Sequence, residues 1–261
     1  MKNNLFLFLV TCFFLITACK DNSKKEAVKK TTKNKIEYAK GLEILDLNNS
    51  TKLIIKSPYP KAKKTFEYLL SKEKKTNTIQ VPIKKMVVTS TTHIPFLELL
   101  GEEESLIGFP HTKYISSDKT RALIENGKVR ELGKEAALNT EILLDIKPEL
   151  VVAFSMKKTN KTFKTIENAG IPVILNGDWL EETPLGRAEW IKFFGALYNK
   201  EKLADSIFNQ IKTAYVKATQ IAKKAVYKPT ILSGAIMSKD IWSLPAGESF
   251  VAQFLKDANV N

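Results

Sequence analysis

Residues 183–228 read TPLGRAEWIKFFGALYNKEKLADSIFNQIKTAYVKATQIAKKAVYK, and the reading of this stretch decides the fold. Thr183 is placed to cap the first free amides of a helix, Pro184 suits the first turn, and the next proline is Pro229. Ala204, Ile207, Ile211, Ala214, Ala218, Ile221 and Ala225 recur at three- and four-residue steps, an apolar stripe with lysines on the opposite face. As one helix the segment would span roughly 65 Å, longer than one small domain needs. Asn199-Lys200-Glu201 is where it would break in two. The pattern predicts a strut joining two α/β lobes, although a surface helix of one domain shares the same periodicity.

The 261 residues are 44% hydrophobic, enough for one large or two modest domains. The formal charge of +13 is concentrated before Lys75, above all between Lys20 and Lys35. No aromatic side chains interleave with those lysines, as base stacking requires, so the run reads as a solvated tail and not as a nucleic-acid arm. At the N-terminus Lys2 precedes an apolar run from Leu5 to Ile16, too short to span a bilayer and right for a signal-peptide core. It ends in Leu15-Ile16-Thr17-Ala18-Cys19, which resembles the bacterial lipobox. Cleavage there predicts a signal peptide over 1–18 and lipidation of Cys19. A membrane tether follows over 19–42, rich in Lys, Asn, Ser and Thr in its first half. The other cysteine, Cys12, leaves with the signal, so no disulfide is expected within the chain.

Residues 43–82 hold three short strand patterns, Glu43–Leu47, Lys52–Lys56 and Phe66–Leu70, which predict a small antiparallel sheet without chemistry of its own. Over 83–182, strand patterns at Met86–Ser90, Ser105–Phe109, Leu150–Phe154 and Ile171–Leu175 alternate with helical ones. That order argues for an α/β, Rossmann-like lobe with a parallel sheet covered on both faces. Ligands in such sheets sit beyond the carboxyl ends of the strands, where Ser90 to His93, Pro110 to Tyr114, Phe154 to Met156 and Asn176 to Trp179 fall.

Three stretches in order, Lys85 to Ser90 with Leu100-Gly101 and Ile107-Gly108, Asn139 to Val151, and Gly170-Ile171-Pro172-Val173, resemble the class III substrate-binding proteins of ABC importers. That group contains receptors for ferric siderophores, cobalamin and haem. Glu149 stands where the family usually has Asp. The resemblance implies two lobes joined by a long helix, here 183–228, with substrate between them and only small closure movements. It implies no covalent chemistry, a monomer, and delivery to the permease subunits of an ABC importer. Glu141 matches the family glutamate that docks on permease arginines, and behind Asn139 it also suits a helix N-terminus.

His93 and His111 are the only histidines and both fall at strand ends. Two histidines without an available cysteine make a poor set for a bare transition metal, so no metal site is expected and a metal held inside a chelate fits better. Haem needs one or two axial ligands, which keeps His93, His111 and Tyr114 as candidates beside plain surface roles. Tyr114, Phe154, Trp179 and Trp242 offer flat apolar walls to a planar ligand, and Thr91 and Thr92 offer hydroxyls beside them. Phe154, at a position aromatic in the cobalamin receptor, is equally suited to core filling. Arg187 could meet an anionic chelate or make a structural pair near the helix start. The ligand is therefore expected to be an iron–siderophore complex, haem or cobalamin, with no covalent cofactor.

Residues 229–261 read as the start of a second lobe, with a strand from Pro229 to Ala235 and a helix from about Glu248 to Asp257, too short to have its own core. The family's remaining hundred or so residues, and its second docking glutamate, are missing, so the sequence is expected to be a fragment. Neither G-x-S-x-G nor G-x-x-x-x-G-K occurs, which argues against an enzyme. The competing reading is a non-transport α/β lipoprotein, either a hydrolase or an adhesion or structural protein, in the cell envelope.

Overall fold

The computed structural model describes residues 33–134, 137–157 and 160–261. The predicted signal segment, Cys19 and most of the predicted tether lie outside the described residues. Strands β1 (Leu42–Leu47), β2 (Ser50–Ile55) and β3 (Phe66–Ser71) pair antiparallel, and β4 (Ile79–Gln80) joins β3 in parallel, so the small sheet forms where the alternation predicts it. Leu42, Ile44, Leu53 and Ile55 are buried on one face of this sheet, which seats it on the rest of the protein.

The parallel sheet is built from β5 (Met86–Val88), followed by α1 (Ile94–Leu99), and β6 (Leu106–Phe109), followed by α2 (Asp118–Glu125). Edge strand β7 (Arg130–Glu131) and the hairpin β8 (Gly133–Lys134) and β9 (Ala137–Leu138) come next. Then follow α3 (Thr140–Ile146), β10 (Leu150–Ala153), α4 (Lys161–Asn168) and β11 (Val173–Leu175). The strand order is β11-β10-β5-β6-β7, all parallel. Met86, Val88, Leu150 and Val152 pack to one side, Val87, Val151 and Ala153 to the other, and all seven are fully buried. The near-continuous β-branched runs of β5 and β10 are what a sheet covered on both faces requires. Gly101 ends α1 in the left-handed conformation (φ 64°), and the side chains of Ser117, Asn139 and Asn160 cap α2, α3 and α4.

The segment 183–228 is not one helix. It forms α5 (Pro184–Glu189), α6 (Ile191–Leu197) and α7 (Glu201–Lys223). Thr183 caps α5 through Gly186 N at 3.0 Å, as expected. The chain turns at Asn199, in the left-handed region (φ 54°), at the predicted break. Trp190, Ile191, Phe193, Phe194 and Leu197 are fully buried, so α6 is a core helix and the predicted strut is reduced to α7. Its 23 residues span about 34 Å and not 65 Å. Ala204 and Phe208 are buried, whereas Ala214, Ala218 and Ile221 are exposed, so the apolar stripe is covered only over its first half.

Two acids, Glu189 within this segment and Glu181 just before it, hold the entering chain. Glu189, fully buried, accepts from the amides of Glu37, Tyr38 and Ala39 at 2.6–3.1 Å and pairs with Lys192 at 3.0 Å. Glu181 accepts from the amides of Lys40 and Gly41 and from Trp190 Nε1. Residues 37–41, predicted as tether, are thus strapped to the body by carboxylates more than a hundred residues away.

Beyond α7, residues 229–234 hold no strand. The strand begins at Ala235, where β12 (Ala235–Ser238) pairs with β13 (Ile241–Ser243). Helix α8 (Phe250–Asp257) packs on α7 through Tyr215, whose hydroxyl donates to Asp257 at 2.7 Å, and beside Arg187, whose guanidinium lies 3.8 Å from the Phe250 ring centre. Among the described residues no helix is long and apolar enough to cross a membrane.

Candidate functional site

The carboxyl ends of β5, β6 and β10 surround a pocket of about 270 Å³, lined by Thr89, Ser90, Thr91, Phe109, Pro110, His111, Tyr114 and Phe154. The topology puts it there, because three adjacent parallel strands deliver their following loops to one rim. Thr89 fixes the floor: its hydroxyl accepts from Phe154 N at 2.8 Å and so ties the end of β10 to that of β5. Ser90 Oγ and Thr92 Oγ1 lie 2.9 Å apart and the Thr91 side chain is exposed at the mouth. Tyr114 projects with 63% of its surface exposed, and His111 stands edge-on to it at 5.5 Å between ring centres.

The Pro110–Tyr114 loop is held by Glu131, which the sequence reading missed. Its carboxylate accepts from His111 N (2.8 Å), Thr112 N (2.8 Å), Thr112 Oγ1 (2.6 Å) and Gly133 N (2.9 Å). His111, the first of these donors, has a left-handed backbone (φ 50°). Partial burial pushes the Glu131 carboxyl up, but the four donors outweigh it and hold it below the usual glutamate value. A carboxyl lowered in the folded state stabilises fully above the ordinary glutamate range and loses that contribution as pH falls through its folded value. The amide signals of His111 and Thr112 should therefore broaden or shift on acidification. Glu131→Gln should show the same loosening at neutral pH and no further acid transition. A loop equally ordered in wild type and variant at all pH values refutes the positioning role.

Thr91, Tyr114 and Phe154 line this one pocket, and Thr92 lies at its edge beside Ser90. Trp179 stands one layer behind, its ring 5.0 Å from that of Phe154. His93 is not in the pocket. The turn Thr91–His93, capped by Ser90, swings it inward until it is fully buried, 5.5 Å from the Phe194 ring centre. Its Nε2 lies 3.6 Å from Asp178 Oδ1, too long for a hydrogen bond. Burial pushes the Asp178 carboxyl up, but His93 and Thr92 beside it, with the Trp179 amide, outweigh this and keep it below the usual range. Trp242 is half exposed on β13 and does not line the pocket either. Arg187 takes its structural option, donating from Nε to Glu181 O (3.0 Å) and from Nη2 to Trp179 O (2.8 Å). Glu141 is exposed in the first turn of α3, where Asn139 supplies the cap to Ile142 N at 3.1 Å. Glu149 accepts from Lys84 N at 2.6 Å, so the longer side chain still serves the strand start.

Residues 86–261 match the sequence model of a family described as periplasmic binding protein. Two curated relatives from Methanocaldococcus jannaschii are an uncharacterised lipoprotein, 28% identical over 182 residues (67% of this chain, 43% of that protein), and an uncharacterised protein, 27% identical over 176 residues (62% and 51%). The chain thus spans about half the length of the curated relatives it matches. Among solved structures, a periplasmic binding protein from Veillonella parvula aligns with TM-score 0.63 at 15% identity, over 83% of this chain and 66% of that one. The apo periplasmic haem-binding protein of Roseiflexus sp. RS-1 aligns with 0.53 at 17% (69% and 65%), and the petrobactin-binding protein of Bacillus subtilis with 0.54 at 14% (80% and 66%). At these identities the likeness is one of fold.

Proposed function

The chain belongs to the periplasmic binding protein family, and on that premise we propose that it captures a small metal chelate, an iron–siderophore complex, haem or a corrinoid, and hands it to an ABC permease. The observation that carries this reading is the pocket at the ends of β5, β6 and β10, where hydroxyls and the exposed Tyr114 ring surround a concave floor closed by Phe154. Planar or aromatic ligands are held by such flat walls with a few polar groups to orient them. Proteins of this family bind without chemical turnover, and the haem- and petrobactin-binding structures of like fold support the ligand class.

The remainder of the reading follows the sequence. Residues 1–18 are a signal peptide, lipidated Cys19 anchors the protein in the cell envelope, and the tether that begins at Cys19 is already bound to the body at Asn34 and Lys35, ahead of the strap at 37–41. Two curated relatives carry the name lipoprotein, which agrees with an anchor. Glu141 is the permease contact on this lobe, and the protein works as a monomer.

The test is titration of the intact mature protein with haem, a ferric siderophore and cobalamin, read by ligand absorbance and Trp fluorescence. Saturable binding of one is expected, weakened about ten-fold or more by Tyr114→Ala or Phe154→Ala. Binding of none, or turnover of an ester or phosphate, overturns the reading. Glu141→Ala should leave that affinity unchanged and lower uptake several-fold. Because Asn139 makes the cap, the cost to α3 is at most about 0.3–1 kcal/mol. Unaltered uptake removes the docking role.

A further inference from the structure

A second cavity, about 380 Å³, shares no lining residue with the strand-end pocket, although Ser155 of its lining follows Phe154 of that pocket. Its apolar wall is formed by Phe66 and Tyr68 of β3 on one side and by Phe163, Val173 and Leu175 of α4 and β11 on the other. The Tyr68 hydroxyl accepts from Leu175 N at 3.3 Å and bridges the two sheets at one side of the gap. Burial pushes this phenol up to about 12, so it stays neutral. Lys157, Lys161 and Lys164 belong to the lining yet are exposed, which sets them at the mouth. Among the described ion pairs none involves these three lysines, and Glu167 is the single acid of the lining.

We propose that this gap between the small sheet and the α4–β11 edge is a second ligand site, and that it takes a small carboxylic acid with an apolar body. The chemistry divides as such a molecule does, with an apolar wall of Phe66, Tyr68, Phe163, Val173 and Leu175, the polar Ser155 and Asn160 beside it, and a cationic rim. The volume is at the lower end of the range for small-molecule pockets, roughly 300–1,000 Å³, which suits a medium-chain or bicyclic aromatic acid and not a haem. The rim favours an anion through charge, and the interior excludes a polyphosphate, which would need donors throughout. The chain's own lysine-rich segment from Lys20 to Lys35 has the same sign as the rim and is a poor occupant. Phe66 and Tyr68 precede the family-matched residues 86–261, so the shared family segment cannot build this site alone. The inference is therefore independent of the chelate reading.

The experiment is calorimetric titration of the intact protein with decanoate and 1-naphthoate, against decanol and decylamine as neutral and cationic controls. One-to-one saturable binding of at least one acid is expected, with decanol ten-fold weaker or worse and decylamine not bound. Lys161→Glu combined with Lys164→Glu, both exposed and safe for folding, should weaken the acid ten-fold or more and leave decanol unchanged. Tyr114→Ala should leave acid binding untouched. The site is refuted by failure of both acids to bind wild type, by decanol binding as tightly as decanoate, or by indifference to the charge reversals. Loss of acid binding in Tyr114→Ala also refutes it, since that result assigns the acid to the strand-end pocket.

Discussion

Replacing Glu189 with alanine is expected to lower the free energy of unfolding by about 3–5 kcal/mol, read from denaturant midpoints. The carboxylate is fully buried and receives three backbone amides, from Glu37, Tyr38 and Ala39, while Lys192 balances its charge. Alanine leaves these donors without an acceptor, at about 1–3 kcal/mol each where water cannot replace it. It also removes the nearer of two carboxylates from the Lys192 ammonium, which keeps Asp205 at 3.4 Å and Lys35 O at 3.1 Å. Glu189→Gln keeps one acceptor oxygen but turns an N–H toward donors, so a smaller loss of about 2 kcal/mol is expected. Limited proteolysis supplies the second readout: cleavage within residues 35–41 should accelerate in both variants. A loss under about 1 kcal/mol with unchanged proteolysis shows that the strap is not a stabilising element.

That strap marks where sequence reading fails. Glu189 sits in a helical pattern next to Trp190, and nothing local distinguishes a carboxylate destined for amides 150 residues away from one facing water. The strands were legible because alternation and β-branched runs are local signals, and β5, β6, β10 and β11 fall where those signals lie. Tyr114 and Phe154 were legible for a related reason, since a residue just past a parallel strand has few other places to go. His93 obeyed the same rule at the level of the chain and broke it at the level of the side chain. Three residues of 3-10 turn suffice to rotate an imidazole from rim to core. Glu131 escaped notice because its strand is two residues long and three of its four donors are backbone amides, which carry no sequence signal. The strut was half legible: Thr183, Pro184 and the break near Asn199 behave as read, but periodicity cannot tell a helix that projects from one that turns back.

The corner between α6 and α7 is the second place where a single atom should matter. Gly195 faces Ala204, and a Cβ added there would stand 2.5 Å from Ala204 Cβ and 3.3 Å from Lys200 O, well inside contact distance. Gly195→Ala is therefore expected to cost about 1–3 kcal/mol despite the better helix propensity of alanine, and Gly195→Leu more than that. Phe193, Phe194 and Leu197 flank this corner in the core and His93 leans on Phe194, so the strain should reach the floor under the strand-end pocket. Ala204→Gly alone should cost about 1 kcal/mol through helix propensity, but in the Gly195→Ala background it removes the colliding methyl. The double variant should then lose less than the sum of the single losses, a coupling of about 1 kcal/mol or more. Chelate affinity should follow the same order, lowest in Gly195→Leu and restored in the double variant. Strictly additive losses, or full affinity in Gly195→Leu, would mean that the α6–α7 contact does not set the position of α7.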